Sequence, residues 1–217
     1  MTWTTTAPPP HGGQPILVQG TPVTEATTAM VLLHGRGAGA DDILPLGDQV
    51  PHPGMIYIAP DAAGSTWYPN RFIAPIESNE PWLSSALAAI DSIIRTLSTK
   101  GIPPERVVLA GFSQGGCLAL EYAARNPRRY GGVVGLSAGL IGPPGTTWPP
   151  GGSLDQTPVF LGCSDVDAHI PKARVDESIA ALQAMGGDVV GVIYPGMGHT
   201  VIADELRHVQ RIVDRLP

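Results

Sequence analysis

Short apolar runs punctuate the chain at PILVQG, AMVLLHG, MIYIAP, RVVLAGF, GGVVGLSA, PVFLGCS and VVGVIYP, each bounded by turn-forming residues. Their length and their Val, Ile and Leu content predict strands buried on both faces of a parallel sheet. Between most of them the apolar period lengthens to that of a helix. PWLSSALAAIDSIIRTL places Leu83, Leu87, Ile90, Ile94 and Leu97 on one stripe, with Pro81 at its opening turn. KARVDESIAALQAMGG repeats the design with Val175, Ile179, Leu182 and Met185 and stops at Gly186. The last helix carries Ile202, Leu206, Val209 and Val213. Strands alternating with helices imply crossover units, hence one doubly wound α/β domain over residues 1–217 with no large cap. Residues 1–13, rich in proline and without periodicity, read as a loosely ordered lead-in.

Composition narrows the function classes. Hydrophobic residues make up 43% and charged residues 15% of the 217 positions, which is globular. A net charge of −6 without a basic cluster argues against a nucleic-acid or anionic-membrane partner. The N-terminal stretch lacks the charged and apolar regions of a secretory signal, and no apolar run approaches the ~20 residues of a membrane span. The expectation is a cytoplasmic protein, monomer or homodimer. Cys117 and Cys163 have no metal-like spacing and read as free, buried thiols.

The chemistry concentrates where apolar runs end. Gly111-Phe112-Ser113-Gln114-Gly115 matches the G-x-S-x-G elbow, in which a strand turns sharply into a helix and lifts a serine into the open. The N–H of Gln114 would then face a developing oxyanion at the helix N-terminus. An activated serine needs a base and a group that orients it, in the chain order Ser, Asp or Glu, His. His199 in GMGH follows the last strand and opens the last helix, where the base belongs. The loop SDVDAHIP offers Asp165 and Asp167, which spacing alone does not separate, and His169, read as a pocket-rim residue. The glycine-rich turn LLHGRGAG lacks the G-K-[ST] ending of a phosphate loop, and it places the Arg36 N–H as the second oxyanion donor. Two long loops begin at carboxyl ends of strands, where open α/β sheets hold their ligands. They supply Trp67, Tyr68, Phe72 and Trp148 as candidate pocket walls. The alternative for these aromatics is simple anchoring of the loops. The chemistry calls for no metal or cofactor.

Together these motifs resemble the phospholipase/carboxylesterase family of α/β-hydrolases, which includes acyl-protein thioesterases. LLHGRG is similar to its H-G-x-G loop, GFSQGG to its elbow, SDVDAHIP to its acid loop and GMGH to its base motif. The resemblance covers the chain from about residue 16 onward. It implies an α/β-hydrolase fold and assigns the acid to the second aspartate, Asp167. It also implies a carboxylesterase acting on short- to medium-chain acyl esters through Ser113, His199 and Asp167, with a thioesterase or lysophospholipase as the alternative. A non-catalytic ligand-binding version of the fold is disfavoured because all three residues are present. Three departures stand out: Ala168 where proline is usual, Ile170 where valine is usual, and Arg36 where an apolar residue is usual. Arg36 is read either as a cation near the pocket mouth that favours acids or compact polar esters, or as a salt-bridge partner of Asp41 or Asp42.

Overall fold

The computed structural model describes residues 3–148 and 152–217. Its centre is an eight-stranded sheet. The strands are β1 (Trp3–Thr4), β2 (Pro15–Gly20), β3 (Thr28–Leu33), β4 (Met55–Pro60), β5 (Val107–Phe112), β6 (Gly132–Leu136), β7 (Pro158–Ser164) and β8 (Asp188–Tyr194). Their spatial order is β1-β2-β4-β3-β5-β6-β7-β8. The pairings β1–β2 and β2–β4 are antiparallel, and every pairing from β4 to β8 is parallel. The helices are α1 (Ala40–Ile43), α2 (Trp82–Thr99), α3 (Gln114–Arg125), α4 (Lys172–Ala184) and α5 (Ala203–Val213).

Strand alternation sorts the core into two layers. Ala29, Val31 and Leu33 of β3 pack with Leu83 and Ile90 of α2, Leu118 of α3 and Val175 of α4. Met30 and Leu32 of the same strand pack on the other face with Ile43 of α1 and Val209 and Val213 of α5. The central strands β3 to β7 are accordingly buried on both faces, apart from the half-buried Phe112 at the end of β5. Among the described residues no helix is long and apolar enough to cross a membrane.

Three expectations need correction. The runs PILVQG and VVGVIYP form strands that are not buried on both faces: Val18 and Val190 are each 45% exposed. Among the described residues β8 has a neighbour on one side only, and β2 is covered by just two paired residues of β1. Leu87, Ile179, Met185, Ile202 and Leu206 are partly rather than fully buried, and in α2 the small Ala86 and Ala89 share the fully buried face with Leu83 and Ile90. The lead-in is packed rather than loose over residues 3–13. Trp3 and Thr4 add a strand to β2, and His11 is fully buried, its N–H donating to Ser85 Oγ at 2.9 Å. Its imidazole Nε2–H donates to Trp67 O at 3.0 Å, while Nδ1 accepts from Ala63 N–H at 3.1 Å.

Candidate active site

The site is assembled at the carboxyl ends of the parallel strands. β5 ends at Phe112, and α3 begins at Gln114, so Ser113 alone makes the turn. Its φ of 55° and ψ of −119° lie in a region that side chains rarely enter, at a cost of ~1–3 kcal/mol. Glycine on both sides makes the turn sterically feasible. A Cβ on Gly111 would collide with the backbone of Gly115, and one on Gly115 would collide with the carbonyl of Leu33. The turn therefore packs α3 against β3 at backbone distance and leaves the serine hydroxyl facing outward.

The hydroxyl of Ser113 donates to His199 Nε2 at 2.8 Å, and His199 Nδ1–H donates to Asp167 Oδ2 at 2.7 Å. A carboxylate only accepts, so it fixes the proton of the neutral ring on Nδ1 and leaves Nε2 free to receive one. The Asp167 side chain is fully buried, while that of His199 is 21% exposed. Burial alone would push the Asp167 carboxyl up. The hydrogen bond from His199 and the N–H groups of His169 and Ile170, at 2.7 and 3.0 Å on Oδ1, outweigh it and hold the group below its ordinary value. The imidazole is wedged between rings, with Phe112 at a centroid distance of 4.9 Å and His169 edge-on at 4.8 Å. Asp165 faces elsewhere: its Oδ1 accepts from Gly196 N–H at 2.8 Å. The first aspartate thus ties the loop that carries His199 to the loop that carries Asp167.

The loop after β3 brings Gly35 and Arg36 against the elbow. Neither the Arg36 N–H nor the Gln114 N–H has a hydrogen-bond partner among the described residues. The side chains of the same two residues do different work. Gln114 Oε1 accepts from Trp67 N–H at 2.9 Å and its Nε2 donates to Tyr68 O at 2.8 Å, pinning the loop that follows β4. The Arg36 guanidinium donates to the carbonyls of Tyr68, Pro69 and Asn70 at 2.8, 2.8 and 2.7 Å. It forms no salt bridge to Asp41 or Asp42, contrary to one reading of the sequence, because those side chains lie at the start of α1, with Asp42 Oδ2 accepting from Gly39 N–H.

A cavity of about 440 Å³ opens onto Ser113 and His199. Of the proposed pocket residues, Tyr68, Phe72 and His169 line it. Trp67 and Trp148 do not. Trp67 is fully buried behind the wall, its Nε1–H donating to His34 O at 2.9 Å. Trp148 donates instead to the buried carboxylate of Glu121 at 3.1 Å and packs on the core. Both tryptophans anchor loops, because each indole N–H found its acceptor inside the body. Cys117 and Cys163 are free and buried, and burial pushes both thiols up to about 12. Among the described residues no group of three or more His, Cys, Asp or Glu side chains is placed to hold a metal ion.

Sequence reading missed the two buried histidines that frame this site. His34 Nδ1–H donates to Gly35 O at 2.8 Å, and its Nε2 accepts from Ala62 N–H at 3.0 Å. His34 and His11 both lie against Trp67, at centroid distances of 5.0 and 5.5 Å. Burial is the main reason both rings titrate below the ordinary histidine value. The H-G pair in LLHGRG carried the signal for His34; nothing local marks His11.

The phospholipase/carboxylesterase family model matches residues 18–216 of this sequence. The chain belongs to that family. Its three-dimensional form agrees: a phospholipase/carboxylesterase from Dyadobacter fermentans is 40% identical, with a TM-score of 0.89 over 98% of this chain and 99% of that one. Esterase PE8 is 25% identical with a TM-score of 0.75, covering 94% of this chain and 98% of that one. The architecture is the α/β-hydrolase fold expected from the motifs. Curated relatives include acyl-protein thioesterase 1 of Gibberella zeae, 36% identical over 55% of this chain and 52% of that protein. Acyl-protein thioesterase 1 of Saccharomyces cerevisiae is 30% identical over 60% and 59% respectively. The matched stretches thus span roughly half to three fifths of those relatives.

Proposed function

We propose that this family member is a serine hydrolase of carboxylic esters, with Ser113 as nucleophile, His199 as base and acid, and Asp167 as the residue that orients and charges the base. The observation that carries this reading is the unbroken line of hydrogen bonds from Asp167 through His199 to Ser113, at 2.7 and 2.8 Å, on the wall of an open cavity. Ser113 Oγ attacks the acyl carbonyl carbon while His199 Nε2 takes its proton. Negative charge moves to the carbonyl oxygen, where the N–H groups of Arg36 and Gln114 and the N-terminus of α3 stabilise it. The C–O or C–S bond to the leaving group then breaks, and His199 returns the proton to the alcohol or thiol. Water, deprotonated by His199, attacks the acyl-enzyme, and Ser113 leaves with the proton.

Carboxylesterase action on short to medium acyl esters is the first reading, favoured by the family match and by the 40%-identical phospholipase/carboxylesterase of Dyadobacter fermentans. Thioester hydrolysis is the second, favoured by the two relatives named acyl-protein thioesterase 1. The test is hydrolysis of p-nitrophenyl esters from acetyl to dodecanoyl, with Ser113→Ala as control. Turnover that peaks at short chains and disappears in the control is the expected result. A peak at octanoyl or longer supports the second reading, and turnover that survives Ser113→Ala contradicts the mechanism.

A further inference from the structure

The cavity wall carries charge of one sign only. Arg36 and Arg71 both line it, and among the described residues no aspartate or glutamate does. Asp167 is sealed behind His199. Arg36 spends its hydrogen bonds on three peptide carbonyls, which hold the guanidinium in place without cancelling its charge. Arg71 is exposed and makes no ion pair among the described residues. This happens in a chain of net charge −6, so the cationic wall runs against the protein's overall balance. A local positive field at the mouth of a concave site concentrates anions there, and the planar fork of a guanidinium recognises a carboxylate or phosphate oxygen pair.

We propose that the substrates of this site are small esters bearing an anionic group, a carboxylate or a phosphate, within a few carbons of the scissile carbonyl, held by Arg71 in the field of the fixed Arg36. The proposal rests on the ester-hydrolase reading above and names its substrate class. Arg36 sets the wall of the site as a positioning residue, and Arg71 supplies the direct contact. Bulky neutral lipid chains gain nothing from either.

The experiment compares kcat/KM, by methanol release near neutral pH, for three esters: monomethyl glutarate, its neutral monoamide, and methyl 4-phosphonobutyrate. The first two have nearly the same shape and differ in charge. At least one anionic ester is expected to be preferred over the amide by about tenfold or more. The ratio should fall toward one in Arg71→Gln, recover in part in Arg71→Lys, and shrink in high salt. The larger of the two anionic ratios identifies the group recognised as a carboxylate or as a phosphate, for which the phosphonate stands in. Each ratio is taken within one variant, so a partial loss of folded protein cancels. Ser113-dependent turnover with no anionic preference, or with a preference that Arg71→Gln leaves intact, overturns the proposal and leaves the hydrolase reading standing. No Ser113-dependent turnover of these esters or of p-nitrophenyl acetate overturns both.

Discussion

His34 and His199 are both ring-to-ring neighbours of aromatic side chains, and both have their two nitrogens hydrogen-bonded, yet their partners differ in kind. His34 sits between a peptide carbonyl and a peptide N–H, neither of which exchanges a proton near neutral pH. It is fully shielded, and the structure holds it as a neutral strut between the loops after β3 and β4. His199 sits between a buried carboxylate and a hydroxyl, one able to stabilise a cation and the other able to give up a proton. Its side chain stays partly open to the cavity. The number of hydrogen bonds does not separate a strut from a base. The chemistry of the partners does.

The contrast breaks most visibly in turnover. His199→Asn is expected to lower kcat by ~10⁴ or more, because the proton relay is lost, whereas His34→Leu leaves the relay in place and should cost less than ~10². Equal losses in the two variants, with both folded by circular dichroism, would erase the distinction drawn here. Stability should rank them the other way. His34→Leu strands the buried Gly35 carbonyl and Ala62 N–H and is expected to lose about 2–5 kcal/mol in a urea titration. His199→Asn, at a partly open position, should lose less.

Glu205 sharpens the comparison from the acid side. It is fully buried in α5, one carboxyl oxygen accepts from Ile202 N–H at 2.9 Å, and the other has no partner among the described residues. Burial is the main cause that raises it from 4.5 to about 7. A raised carboxyl favours the protonated folded state, so its contribution is complete below pH 4.5 and disappears as pH rises through about 7. Glu205→Gln should therefore stabilise the protein by about 1–3 kcal/mol above pH 7 and by little below pH 4.5. A uniform shift at all pH values would point to packing instead of charge.

The smallest effect is the pH response of the buried imidazoles. His11 and His34 titrate below their unfolded value of 6.5, so the unfolded chain binds more protons in that window. Their contribution is complete above pH 6.5 and is lost as pH falls from 6.5 toward their folded values. Measured in the Glu205→Gln background, the urea midpoint should decline on acidification through this range. Replacing His34 by Leu should flatten the decline, and an unchanged slope would show that the ring is not the group responsible.

Most of this site was legible where local geometry forces residue choice. The elbow could be read because only glycine fits at 111 and 115, and that constraint is written in adjacent residues. The central strands were legible for a similar reason: two buried faces demand an unbroken apolar run. The same run does not say how many neighbours a strand has, which is why β2 and β8 looked buried and are not. The pattern of residues also left Asp165 and Asp167 unresolved, since which carboxylate meets His199 depends on how the loop rotates; the family resemblance selected Asp167, and that carboxylate is the one found against the imidazole. Long-range contacts were out of reach altogether. His11 meets Trp67 across 56 residues, and Arg36 meets the carbonyls of residues 68–70, and neither partner leaves a mark near the other in the chain. Trp67 and Trp148 were misplaced for the same reason, because an aromatic residue in a long loop looks the same whether it lines a cavity or plugs the core.

The central claim is that Ser113 becomes covalently acylated during turnover. The most direct measurement is mass spectrometry of the protein quenched in acid during steady-state hydrolysis of p-nitrophenyl acetate, followed by peptide mapping. The account expects one acetyl group on the peptide containing Ser113, and none in Ser113→Ala. Turnover without acetyl on Ser113, or acetyl found on another residue that Ser113→Ala does not remove, would contradict it.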